Sequence, residues 1–101
     1  MNREQIEEQR ESIKKAELVV EGLDVIINSL TNVKSAIKTE IVLSNNILDI
    51  SITEKDSIDK VIKLTNAVSE LYVNHTDLND KVALAYAINN KVGEILCDIA
   101  K

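Results

Sequence analysis

The sequence contains no proline, no phenylalanine and no tryptophan, and only two of its 101 residues are glycine. Without proline, the residue that most strongly interrupts a helix, helices can run over long distances. The scarcity of aromatic residues bears on function, because proteins that bind single-stranded nucleic acid stack bases on aromatic side chains and surround them with Lys and Arg. With two tyrosines and a formal net charge of −5, this chain is not expected to bind nucleic acid.

Cysteine and long apolar runs are also scarce. The single cysteine, Cys97, cannot form a disulfide within the chain, so nothing in the sequence requires an oxidising compartment. The N-terminal residues lack the apolar run of a signal peptide. The longest uncharged runs, such as 41–48 and 82–90, are less than half as long as a segment that spans a bilayer. We therefore expect a cytoplasmic protein with no membrane segment, and export without a cleaved signal is the alternative.

Aliphatic residues are abundant, and between Ile6 and Leu48 they recur at two positions of a heptad. One position holds Ile6, Ile13, Val20, Ile27, Lys34, Ile41 and Leu48, and the other holds Gln9, Ala16, Leu23, Leu30, Ile37 and Ser44. This period predicts an amphipathic helix over about residues 3–49. Val19, Ile26 and Val33 flank the two positions and widen the apolar stripe. A stripe of that width indicates at least two neighbouring helices.

A second heptad pattern follows and predicts a second helix over about residues 54–100. Its two positions hold Val61, Val68, His75, Val82, Asn89 and Leu96, and Leu64, Leu71, Leu78, Ala85, Val92 and Ile99. Thr76 can also be an N-cap, so the second helix is either continuous or broken at 74–76. The turn is expected at about 50–53, where Thr53 and Asp56 form a helix-start signal. Apolar and polar residues alternate with period two over 48–52, which predicts either an extended segment or the last turn of the first helix.

These patterns predict a single all-α domain over 1–101, a long helical hairpin whose second arm is either straight or kinked near Asn74. The stretch 82–88 is apolar on every face of a helix. Two helices in one chain cannot surround such a stretch, and large exposed apolar patches are unusual in monomers. We therefore expect the hairpin to assemble with further copies, as a dimer or larger, into a multi-helix bundle.

Acidic pairs near the N-terminus suggest a metal site at first sight. Two Glu-x-x-Glu pairs, at 4–7 and 8–11, precede Glu21-x-x-Asp24. They resemble the signatures of all-α nucleotide pyrophosphohydrolases, in which pairs on different helices converge on Mg²⁺. Here all pairs lie on one predicted helix, with Glu4 and Asp24 about 30 Å apart. We interpret them as a solvated helix face, and no metal or cofactor is expected.

Four polar residues interrupt the apolar rows: Lys34, Ser44, His75 and Asn89. A polar residue between paired helices can fix register and oligomer state at some cost in stability, and we predict that role for these four. The alternative is that they line a pocket for a small polar ligand. His75 is the only histidine, and no nucleophile motif accompanies it, so catalysis is not expected.

Tyr72 and Tyr86 lie two heptads apart, with Asn79 midway between them on the same line of the predicted helix. Packing is one interpretation of the tyrosines. Rigid tyrosines with a polar tip are also typical interface anchors. Our hypothesis is that the line of Tyr72, Asn79 and Tyr86 is the recognition surface.

The sequence favours a non-enzymatic protein–protein interaction module, an adaptor or inhibitor that acts as a homo-oligomer on an unknown protein partner. Its small size and composition suit a bacterial or phage accessory protein. One alternative is a helical oligomer that sequesters a small polar ligand between helices. Another is a secretion-associated hairpin, since the length and layout are similar to small secreted hairpin proteins with a Trp-x-Gly turn. The predicted turn contains neither residue, and no family follows from the sequence.

Overall fold

The chain folds into two antiparallel helices in a computed structural model that describes residues 2–101. Helix α1 spans Arg3–Thr53 and helix α2 spans Ser57–Ala100, and the described residues contain no strand. The two helices pack along each other into a rod of 83 × 20 × 13 Å. The prediction of an all-α helical hairpin is confirmed.

Side-chain caps define where each helix begins. At the start of α1, the Asn2 side chain accepts a hydrogen bond from the Gln5 amide, and the Gln5 side chain accepts one from the Asn2 amide. Asp56 caps α2 by accepting hydrogen bonds from the amides of Ile58 and Asp59. Both caps satisfy amides that have no partner within the helix.

The turn occupies residues 54–56, so its prediction at about 50–53 was wrong. Thr53 is not the cap of α2, because its hydroxyl donates to the Asp49 carbonyl within α1. Glu54 in the turn accepts a hydrogen bond from the Lys63 amine. That bond, together with the charge of the Glu54 carboxylate, raises the pKa of Lys63 above its usual value.

Helix α2 continues through residues 74–76, and residues 48–52 are helical. The alternatives of a broken second arm and of an extended segment before the turn are therefore wrong. The Thr76 hydroxyl donates to the Tyr72 carbonyl one turn earlier, so Thr76 lies inside a helix and does not cap one. The unbroken heptad phase of the sequence was the better signal at this position.

The α1 residues that face α2 are shifted by one position from the predicted rows. They are buried or half-buried and recur at 19, 22, 26, 29, 33, 36, 40, 43, 47 and 50. Val19, Ile26 and Val33, predicted as a flank, therefore lie at the centre of the contact. In α2 the predicted row from Leu64 to Ile99 does face α1. Its companion row is 60, 67, 74, 81 and 88, one position before the predicted one.

Small residues explain this shift. Gly22, Ser29 and Ala36 in α1 and Ala67 and Ala85 in α2 lie in the contact. A Cβ on Gly22 would lie 3.1 Å from side-chain atoms of α2, so the helices approach closely there. A pattern that is read from large aliphatic residues passes over such positions. The aliphatic pattern therefore points to the neighbouring row of α1, whose side chains are larger but are exposed.

The contact between the helices encloses little core. The buried hydrophobic residues are Ala36, Ala67, Leu78 and Ala85, and no described side chain is less than 2% exposed. The chain exposes 7885 Å², whereas a globular monomer of 11.2 kDa exposes about 5,700 Å². The isolated hairpin therefore leaves about 2,200 Å² more surface in water than a compact monomer of its mass.

Candidate functional site

The main candidate site is an apolar face that both helices build, which we call the outer face. Val25 and Asn32 of α1 and Leu84 of α2 line one groove, which places them on one side of the hairpin. Leu23 and Val82 each precede a groove residue by two positions and lie about 160° round the helix from it. They therefore share the opposite side. The large exposed apolar residues of the outer face are Ile6, Ile13, Val20, Leu23, Ile27, Leu30, Ile37, Ile41, Leu48, Ile58, Val61, Val68, Tyr72, Val82 and Tyr86.

The four polar residues that interrupt the predicted rows lie outside the centre of the contact, because the rows that form the contact are shifted by one position. Lys34, His75 and Asn89 are exposed on the outer face, and Ser44 is half-buried. Lys34 and Asn89 do not lie between the two helices of the hairpin, so a role in pairing would have to be between copies, whereas His75 contacts Glu40 of α1 within the hairpin. That role stays a prediction. Polar residues that do lie in the contact, and that sequence reasoning missed, include Ser29, Glu40, Lys60, Asn74 and Lys81.

Two hydrogen bonds connect the helices near the middle of the hairpin. The Asn74 side-chain amide donates to the Ala36 carbonyl at 3.2 Å. His75 Nδ1 lies 2.6 Å from Glu40 Oε1. Glu40 occupies a heptad position that Val or Ile holds at 19, 26, 33 and 47, and the exposed imidazole lies against its half-buried carboxylate. These two contacts show which residues of α1 and α2 lie level with each other along the hairpin, a register that the sequence alone does not give.

The predicted recognition line lies at the outer edge of the outer face. The side chains of Tyr72 and Tyr86 are not buried in the hairpin, at 73% and 71% exposure, and Asn79 between them is exposed as well. All three are therefore accessible to a partner. Their role in recognition stays a prediction, since no partner chain accompanies the hairpin.

The N-terminal part of α1 is a solvated helix. Residues 2–18 are all exposed. Arg3 and Glu7 form an exposed ion pair at 3.9 Å, one helical turn apart. The acidic pairs lie along one continuous helix, and within residues 2–101 no three His, Cys, Asp or Glu side chains are grouped to hold a metal ion.

A groove of about 230 Å³ lies on the side of the hairpin away from the outer face. Its lining combines aliphatic residues with Asn28, Ser29, Asn32 and Lys81. The Lys81 amine is already paired with Asp77 at 2.9 Å. The groove therefore offers amide and hydroxyl groups to a ligand more readily than a free charge.

Neither helix, over the described part of the chain, holds a stretch long and apolar enough to cross a membrane. Comparisons with models of protein families, with curated proteins and with solved structures find no match to this chain.

Proposed function

We propose that this chain is a non-enzymatic helical protein–protein interaction module, an adaptor or inhibitor, and that it acts as a homo-oligomer. The supporting observation is the outer face, where large aliphatic residues of both helices stand exposed side by side. Monomers rarely expose contiguous apolar patches beyond a few hundred Å², and larger ones mark interaction sites.

The exposed area is sufficient for a stable interface. The hairpin exposes 7885 Å², about 2,200 Å² above the expectation for its mass. A standard protein–protein interface buries about 800 Å² on each partner. The excess over the whole surface is larger than the area that one partner buries in an ordinary stable dimer, and we expect the outer face to supply that area.

The distribution of residue sizes also supports self-association. The contact within the hairpin buries mainly alanine, and burying a Leu, Ile or Val side chain contributes about 1.5–3 kcal/mol relative to leaving it exposed. Most side chains of that size stay on the surface of a single hairpin. A second helical layer would bury them, so we expect folding and assembly to be coupled.

The polar groups support a non-enzymatic role. Catalytic histidines are usually placed between an orienting carboxylate and a nucleophile. Within the described residues, His75 is hydrogen-bonded to Glu40 and to no nucleophile. Lys34 and Asn89 stand apart from that pair along the outer face. Such isolated polar groups suit partner recognition better than chemistry.

The proposal is tested by charging the outer face. Glutamates at Leu30 and Val82, which are 56% and 47% exposed, would place charge in the centre of the proposed interface. The matched control is Val25→Glu with Leu84→Glu, two residues of similar exposure on the groove side. Light scattering should show the mass of one chain for the outer-face variant and the wild-type mass for the control. Equal masses for both variants would contradict the proposed face.

The groove supports a second candidate, sequestration of a small polar ligand. Its Asn28, Ser29 and Asn32 side chains provide donors and acceptors between the helices. A ligand that binds the folded state raises the melting temperature. A rise with nucleotides or a cell extract that disappears in Asn28→Ala/Asn32→Ala would support this candidate. No rise with any fraction would exclude ligand sequestration at the groove.

A further inference from the structure

We propose that the partner on the outer face is a second copy, related by a two-fold axis parallel to the helices, so that α1 of each copy faces α2 of the other. The product is a four-helix bundle. This inference rests on the proposed self-association and adds the orientation of the two copies.

Two symmetric arrangements can place one outer face on another. An axis parallel to the helices leaves every residue at its own height and sets α1 against the partner's α2. An axis across the helices reverses the direction, and sets α1 against the partner's α1 and α2 against the partner's α2. Both are closed isologous dimers, so the residues on the face must decide between them.

The contacts within the hairpin define which residues share a height. Asn74 bonds to the Ala36 carbonyl, His75 contacts Glu40, and Gly22 lies against Val92. In that antiparallel register Lys34 lies level with Asn79. Ile41 lies level with Tyr72, and Ile27 with Tyr86.

An axis parallel to the helices gives compatible pairs at each of these heights. Lys34 meets the partner's Asn79, whose side-chain oxygen can accept a hydrogen bond from the ammonium group. The two tyrosines of one copy meet Ile41 and Ile27 of the other.

An axis across the helices gives a worse match. When the parts of α1 and α2 that pair within each hairpin, about residues 13–53 and 60–100, overlap fully with those of the partner, Lys34 of one copy meets the partner's Lys34 near the centre of the apolar face. No carboxylate lies one turn away on the same helix to offset the two charges, since these neighbours are Leu30, Thr31, Ile37 and Lys38. Glu40 is already paired with His75. Like charges that meet at an interface disfavour that arrangement, so the charge pattern selects the parallel axis.

Disulfide trapping separates the two arrangements. In a Cys97→Ser background, the double variant Lys34→Cys/Asn79→Cys is compared with each single variant under mild oxidation by diamide. Lys34 and Asn79 of one chain lie on the outer edges of the hairpin, and helix axes are at least about 8 Å apart. A disulfide needs Cα atoms within about 7 Å, so these two cysteines cannot join within one chain. The matched control is Ser35→Cys/Asp80→Cys, one position further along each helix and turned away from the outer face.

For the parallel axis we expect the double variant to form a covalent dimer on a non-reducing gel, and both single variants and the control to stay single chains. Cross-linking of Lys34→Cys or Asn79→Cys alone would overturn the parallel axis in favour of the other arrangement. A double variant that stays a single chain, while light scattering shows a dimer, would also overturn it. If light scattering of the wild type gives the mass of one chain, the proposed self-association itself fails.

Discussion

Two asparagines of α2 show how far position decides the effect of a polar residue. Asn74 is half-buried and donates to the Ala36 carbonyl, whereas Asn89 is exposed on the outer face. If the outer face is covered in the assembly, Asn89 is a polar group in an apolar interface. Such a residue lowers the stability of the assembly but restricts its register and number of copies.

We therefore expect Asn89→Val to raise the melting temperature and to allow more than one oligomer size in light scattering. Asn74→Val should instead lower stability, by about 0.5–1.5 kcal/mol for the lost hydrogen bond. Denaturant unfolding of both variants measures the difference. Destabilisation of Asn89→Val by more than about 2 kcal/mol would show that Asn89 belongs to a satisfied network, which contradicts the register role.

The second prediction at the scale of single residues concerns Tyr72 and Tyr86. Tyr72→Ala with Tyr86→Ala removes the two exposed aromatic anchors of the outer face, and truncation of such anchors typically costs at least about 2 kcal/mol of binding energy. We expect the variant to lose binding of the second copy, so that light scattering gives the mass of one chain. The double Phe variant is the control for the rings without their hydroxyl groups.

Neutralising the N-terminal glutamates should have little effect by comparison. Glu4, Glu7, Glu8 and Glu11 are exposed on a solvated helix, where ion pairs contribute little. Changing all four to Gln is expected to leave the wild-type mass in light scattering. Greater sensitivity to the glutamates than to the tyrosines would reject the recognition line.

At the scale of the helices, the two glycines occupy opposite environments. A Cβ on Gly22 would lie 3.1 Å from Val92 Cγ1 and from Leu96 Cδ2, whereas a Cβ on Gly93 would contact nothing within 4 Å. Gly22→Leu should push the helices apart and destabilise the hairpin by about 1–3 kcal/mol. Gly93→Ala should stabilise α2 by about 0.5–1 kcal/mol, because glycine is a poor helix residue. Thermal unfolding measures both, and equal effects would contradict the close contact at Gly22.

The helices could be predicted from the sequence, but not all of their limits and contacts. The absence of proline and the sustained heptads suffice for two long helices. The turn was misplaced because Thr53 and Asp56 both have the chemistry of a cap, and only the fold shows that Thr53 bonds back into α1. The row that faces α2 was misplaced because Gly22, Ser29 and Ala36 give no aliphatic signal.

At the scale of the whole molecule, the candidate surface could be predicted only in part. The residues Tyr72, Asn79 and Tyr86 and the polar row residues are visible in the sequence. Their environments are not, because both helices carry more apolar rows than one hairpin contact uses. Which row is internal depends on the close approach of the small residues, and that is a property of the packed pair.

The central claim is that the outer face is covered by self-association, and the mass of the wild-type chain in solution tests it most directly. Light scattering across a range of micromolar concentrations should give at least twice the 11.2 kDa of one chain. The melting temperature should rise with concentration, because assembly stabilises the folded state by mass action. A mass of 11.2 kDa with a cooperative melt that is independent of concentration would contradict the account.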